Sequence, residues 1–144
     1  MENKKSYHTP NGVIEKIDTF KGKKVLVGDY LNCSFMNTEM VLDSLGFEIV
    51  RETAEPMMFY RIARGEKFDL IITNNIYRIG CTGPELLQRF KGIEGFNTPV
   101  IIHTISEQPI EHFLNLGFDG CLKKPITQDE TIKLLNKIFK NEKE

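Results

Sequence analysis

The sequence predicts an α/β fold, a doubly wound five-stranded parallel sheet with five helices shared between its two faces. Three observations lead there. Short apolar runs rich in β-branched residues, such as Leu70-Ile71-Ile72 within Phe68–Asn75, read as strands buried on both faces. A helix-length segment with start and stop residues separates each run from the next, so every connection is a crossover. The runs also end abruptly in polar residues: Asp29, Asn74, Thr104 and Lys124 each sit at or just past a strand end. In an open α/β sheet, ligands bind outside the carboxyl ends of the strands, so these four residues mark the place to look.

The elements follow in order. Residues 1–22 are polar and punctuated by Pro10, Gly12 and Gly22, and read as an N-terminal tail or interdomain linker, with residues 23–144 as the domain proper. Within the tail, Val13, Ile14, Ile17 and Phe20 have the spacing of a short amphipathic helix. Lys24–Gly28 is the first strand. A helix over about 33–45 carries Met36, Met40, Val41 and Leu45 as an apolar stripe, interrupted by Asn37 and Thr38 and closed by Gly46. Phe47–Val50 is the second strand, and a helix over 55–64 has Pro56 in its first turn. After the Phe68 strand comes a loop with two glycines. Pro84 then opens a helix to about Lys91, followed by the Pro99–Thr104 strand. A short helix over about 109–116 ends at Gly117, Cys121–Lys123 is the fifth strand, and a helix over 128–140 buries Ile132, Leu135, Ile138 and Phe139.

A chain of 144 residues suits one domain with its own core. A net charge of -1 offers no basic field, so nucleic acid is not an expected partner. Three widely spaced cysteines, Cys33, Cys81 and Cys121, indicate neither a disulfide framework nor a zinc site and favour a reducing, cytoplasmic setting. The first residues show no signal peptide, and no apolar run approaches membrane-spanning length, so no membrane contact is expected of this segment.

Four stretches together, Lys-Lys-Val-Leu-Val-Gly-Asp, Phe-Asp-Leu-Ile-Ile-Thr-Asn, Thr-Pro-Val-Ile-Ile-His-Thr and Gly-Phe-Asp-Gly-Cys-Leu-Lys-Lys-Pro-Ile, span the domain. In them the chain resembles the receiver domain of two-component response regulators and hybrid histidine kinases. The leading Phe-Lys-Gly-Lys-Lys is similar to the join into a receiver within a hybrid kinase. The resemblance implies a flavodoxin-like fold, a phosphoryl-accepting aspartate ending the third strand and an acidic pair that holds Mg²⁺. It further implies a Thr or Ser on the fourth strand and a Lys-Pro on the fifth. Asp29 keeps the first acid, Thr104 the hydroxyl, and Lys124 with Pro125 the lysine and its proline. At the acceptor position stands Asn74, with Asn75 as the alternative register. The second acid is Tyr30, and the switch aromatic is Cys121. The chain thus resembles a degenerate pseudo-receiver variant.

Those departures bear on chemistry directly. Phosphoryl transfer to a carboxylate needs an anionic oxygen held in line and assisted by a metal. An asparagine amide is neutral, with its nitrogen lone pair delocalised into the carbonyl. Mg²⁺ favours octahedral oxygen coordination with more than one carboxylate or a phosphate, and here Asp29 stands alone. A unit charge at ~4 Å is worth about 4 kcal/mol at an effective dielectric near 20, so loss of two carboxylates should collapse cation affinity. No cofactor is therefore expected, and the Mg²⁺ site is expected to be lost. Asp69 cannot substitute, because it lies about 17 Å back along the strand and faces the other way.

What remains reads as a locked polar cluster in which Lys124 pairs with Asp29 and Asn74 hydrogen-bonds Thr104 or Lys124, with the Tyr30 ring covering the old metal pocket. His103 reads as packed on a buried strand and Cys121 as a small core residue. Cys81 reads as exposed, with Arg78 its only evident cationic neighbour. The run Met57-Met58-Phe59-Tyr60 reads as helix core with an exposed edge, and Lys133, Lys137 and Lys140 as a solvated helix face.

The function expected is that of a non-enzymatic protein-interaction module in a phosphorelay, independent of phosphorylation. Its partner would be a histidine kinase, a cognate signalling domain or a second copy, docked on the face formed by residues 107–116 and 128–140. The alternative is a conventional Mg²⁺-dependent phosphoacceptor that tolerates these changes. A small-molecule flavodoxin-like binder ranks last, since neither a flavin phosphate loop nor a cobalamin signature follows the first strand.

Overall fold

The computed structural model describes residues 5–78 and 80–142. Residues 1–4 of the expected tail, Ile79 of the two-glycine loop and residues 143–144 at the far end of the domain lie outside them. Among the described residues seven strands and five helices follow in order: β1 Ser6–Thr9, β2 Gly12–Glu15, β3 Lys24–Gly28, α1 Asn32–Ser44, β4 Glu48–Glu52, α2 Glu55–Ala63, β5 Leu70–Asn74, α3 Gly83–Lys91, β6 Val100–Thr104, α4 Ile110–Asn115, β7 Gly120–Lys123 and α5 Gln128–Glu142.

Five strands form one sheet in the order β4-β3-β5-β6-β7, with every pair parallel. This is the flavodoxin-like order, in which strand succession reverses beside β3. The register is level at the carboxyl edge. Gly28 stands opposite Glu52, Asn74 opposite His103, and Thr104 opposite Lys123. Asp29, Asn74, Thr104 and Lys124 consequently lie along one edge.

Alternation along the strands divides the core in two. Val25, Val27, Leu70, Ile72, Ile101 and Leu122 point to the α1–α5 face, where Phe35, Leu42, Leu135 and Phe139 meet them. Leu26, Ile71, Val100, Ile102 and Cys121 point to the other face, against Met58, Leu86, Phe90 and Phe113. Full burial of an aliphatic or aromatic side chain of this size stabilises by roughly 1.5–3 kcal/mol, so the two layers together hold the sheet edge rigid. The cap of α3 is local chemistry: Thr82 and Glu85 form a reciprocal capping box on either side of Pro84. Gly46 ends α1 at φ 94°, and a side chain there would also strike the Lys21 backbone at 2.8 Å. Among the described residues no helix is long and apolar enough to cross a membrane.

Two expectations are corrected. The helical spacing from Val13 to Phe20 does not produce a helix: β1 and β2 pair as an antiparallel hairpin, Tyr7 opposite Ile14. This segment is folded onto the domain. The Tyr7 hydroxyl hydrogen-bonds the Asp43 carboxylate, and Phe20 enters the core between Phe47 and Phe139 at 5.5 and 5.4 Å. Gln128 Nε2 donates to the Glu15 carbonyl at 2.8 Å, which joins β2 to α5. The second correction concerns α1. Met36 is exposed, while Asn37 and Thr38 lie on the buried face beside Phe35, Val41 and Leu42. Both polar residues are inside because each finds a polar neighbour there. Asn37 Nδ2 donates to the Ile126 carbonyl at 3.2 Å, and Thr38 Oγ1 lies 3.5 Å from His103 Nδ1.

Candidate functional site

Three side chains from three strand ends close into a triangle. Lys124 Nζ donates to Asn74 Oδ1 at 2.7 Å and to Asp29 Oδ2 at 3.2 Å, and Asn74 Nδ2 donates to Asp29 Oδ1 at 3.1 Å. An ammonium can only donate and a carboxylate can only accept, so the carboxamide has one orientation that satisfies both neighbours. Asn74 bonds Lys124, therefore, and not Thr104. The Thr104 hydroxyl oxygen instead accepts from the Ser106 N–H at 3.0 Å.

Asp29 is fully buried and saturated with donors. Besides Asn74 and Lys124 it accepts from the Leu31 N–H at 3.0 Å and the Ser34 hydroxyl at 2.6 Å. Burial pushes its carboxyl upward, but the Ser34 hydroxyl, the Leu31 N–H and the Lys124 ammonium outweigh that and hold it below the usual range. Burial moves Lys124 the other way, downward, against the opposing pull of Asp29. The donor set is a poor match for Mg²⁺. It offers one carboxylate whose oxygens already accept four hydrogen bonds, and an ammonium where a cation would have to approach. Among the described residues no three His, Cys, Asp or Glu side chains cluster as a metal site would require.

His103 is packed, as its place on β6 suggests. Its Nε2 donates to the Gly28 carbonyl at 3.1 Å, which leaves Nδ1 to face the Thr38 hydroxyl. Burial pushes its pKa down to about 4, with Lys124 adding to the effect, so the ring is neutral. Cys121 lies buried in the layer with Phe113. Cys81 is half-buried, not exposed, and burial together with the Glu55 carboxylate raises its thiol to about 11, which opposes nucleophilic or redox use. Asp69 sits at the far sheet edge, where it accepts from the Lys24 N–H at 2.8 Å. The Lys124–Pro125 peptide is cis.

Tyr30 lines an open cavity of about 350 Å³, together with Leu31, Asn75, Ile76, Thr104, Ile105 and Lys124. A further contributor, Tyr77, has no counterpart in the sequence reading. From the loop after β5 its ring reaches into the core, with its hydroxyl 2.6 Å from Thr73 Oγ1 and accepting from the Asn74 N–H at 3.1 Å. The one signal in the sequence is an aromatic residue in the loop directly after the β5 strand end. Lys123, next to the expected lysine, donates to the carbonyls of Ser106 at 2.6 Å and of Gln108, fastening the loop after β6.

A level parallel sheet with lysine, asparagine and aspartate converging at its carboxyl edge defines a receiver-type α/β domain. The model of the response regulator receiver domain matches residues 25–136, and the chain belongs to that family. Solved structures agree on the fold. A Francisella response regulator receiver domain is 25% identical, with 83% of this chain and 98% of that one covered at a TM-score of 0.68. The receiver domain of a Pseudomonas aeruginosa sensor histidine kinase, described with magnesium coordinated in its active-site cleft, is 19% identical, with 81% and 96% covered at a TM-score of 0.69. A histidine-kinase signal receiver domain from Clostridium thermocellum is 21% identical, with 81% and 97% covered at 0.67. No relative is found among curated protein sequences.

Proposed function

We propose that this receiver domain works without phosphorylation, as a protein-interaction module of a two-component or phosphorelay system. The observation that carries the reading is the Asn74 carboxamide, whose oxygen and nitrogen are both committed, to Lys124 and Asp29. It presents no carboxylate to a phosphoryl donor, and the acid beside it, Asp29, is spent on four donors. Lys124 occupies the position from which it would clasp a phosphoryl group, so the neutral side chain already satisfies the contact that modification would otherwise create.

The docking surface proposed is the face formed by residues 107–116 and 128–140. Between α4, β7 and α5 this face holds a groove of about 660 Å³. Ile110, Leu114 and Ile138 provide apolar walls, and Glu130, Lys133 and Lys137 a charged rim. A wall of this kind with mixed charge suits another protein surface, from a histidine kinase, a cognate signalling domain or a second copy. The test is incubation of the chain with Mg²⁺ and acetyl phosphate, then with beryllofluoride. Unchanged intact mass and unchanged amide spectra are expected; a stable adduct of about 80 Da would end the proposal.

A further inference from the structure

The cavity beside the triangle has no role in the proposed function. It lies at the crevice where the strand order reverses, the place where open α/β sheets take ligands, and its volume of about 350 Å³ falls in the range of small-molecule pockets. Its lining comes from the ends of four strands, β3, β5, β6 and β7. Leu31 is 45% exposed, Ile76 64% and Ile105 83%, three large apolar side chains turned to solvent around one opening.

The charge there is compensated. Lys124 and Asp29 cancel, Asn74 is neutral, and neither ionic group is left over to attract an ion. Hydrogen-bonding capacity does remain. Among the described residues the Asn75 carboxamide and the Tyr30 hydroxyl have no hydrogen-bond partner, and Thr104, whose oxygen accepts from Ser106, has no acceptor for its own proton. Apolar walls, a phenol ring and a rim of neutral donors and acceptors complement a flat, uncharged molecule with one amide-like edge.

We infer that this cavity binds a small, neutral, planar ligand whose donor–acceptor edge meets Asn75, Thr104 and Tyr30 while its body lies between Ile76 and Ile105. The inference goes beyond the proposed function and does not depend on the α4–β7–α5 face. Partner binding could fail there and leave this pocket intact.

The test uses the full chain labelled with ¹⁵N and titrated separately with benzamide and with benzoate, which share a shape but differ in charge. Benzamide is expected to give saturable shifts confined to amides around Tyr30, Asn75, Ile76, Thr104 and Ile105. Benzoate should bind at least about tenfold more weakly, a difference of ~1.4 kcal/mol. Ile105→Glu and Ile76→Glu lie on the surface and should leave the spectrum folded while removing the benzamide response. Absence of saturable shifts with benzamide, equal binding of benzoate, or shifts that survive both substitutions would each overturn the inference. So would occupation of the mouth by a protein segment alone.

Discussion

Asn74 Oδ1 accepts from Lys124 Nζ at 2.7 Å, so a neutral amide takes up the lysine's hydrogen bond at the sheet edge. Changing Asn74 to Asp alone should therefore restore little. The new carboxylate would lose the 3.1 Å hydrogen bond to Asp29 and stand against it as a like charge, with an uncharged phenol, Tyr30, next to Asp29 in the chain. Asn74→Asp with Tyr30→Asp supplies a carboxylate at each position. Mass spectrometry after acetyl phosphate and Mg²⁺ should show no adduct on the single variant and an adduct on the double one.

Lys124 is the hub of the triangle, and removing its charge strands Asp29 in the interior. Lys124→Met should cost about 3 kcal/mol of unfolding free energy, the scale for breaking a buried pair from one side. Adding Asp29→Asn should recover part of that loss, because the uncompensated charge goes with it. Chemical denaturation of the two single variants and the double variant checks this. Strict additivity would show that the three groups do not act as a unit.

The neutral, buried His103 links stability to pH. Its folded pKa of about 4 lies below the usual value of 6.5, so the unfolded chain binds the proton more readily. The stabilisation is complete above pH 6.5 and is lost as pH falls from there toward 4, at up to about 1.4 kcal/mol per pH unit. Asp29, also held below its ordinary value, adds a second loss at more acidic pH. Denaturation midpoints between about pH 7 and 4.5 should decline in the parent and decline less in His103→Asn. Parallel slopes would assign the effect to other groups.

Tyr77 and Gly28 meet under the sheet edge. A side chain built on Gly28 would lie 2.1 Å from the Tyr77 hydroxyl and 2.2 Å from Met58 Sδ. Gly28→Ala should cost roughly 1–3 kcal/mol through overpacking. Tyr77→Phe, which leaves the Asn74 N–H and Thr73 without their shared partner, should cost a similar ~1–3 kcal/mol. In combination the two should cost less than their sum, since removal of the hydroxyl gives the new methyl room. Denaturation of the two single variants and the pair measures this, and a cost equal to the sum or greater would mean that the loop itself moves to accommodate the methyl.

The sheet and most helices were legible because buried parallel strands and capped helices leave dense local signals, such as Leu70–Ile72 or the Thr82–Glu85 box. The convergence of Asp29, Asn74 and Lys124 was legible too, since strand ends in such a sheet share an edge. Other features depended on contacts across the fold. Asn37 and Thr38 look like solvent residues until Ile126 and His103 arrive to bond them. Tyr77 looks like a loop residue until the space over Gly28 is seen. Val13–Phe20 carries helical spacing, yet pairing of Gly12–Glu15 with Ser6–Thr9 overrides a pattern that short.

The hairpin also decides where this protein can be cut. A truncation at Lys23, the boundary that composition recommends, would remove Phe20 from between Phe47 and Phe139 and strip Asp43 of its tyrosine. The shortened domain would present raw hydrocarbon along one flank and become sticky in solution. Expression vectors for this protein should retain everything from Ser6 onward.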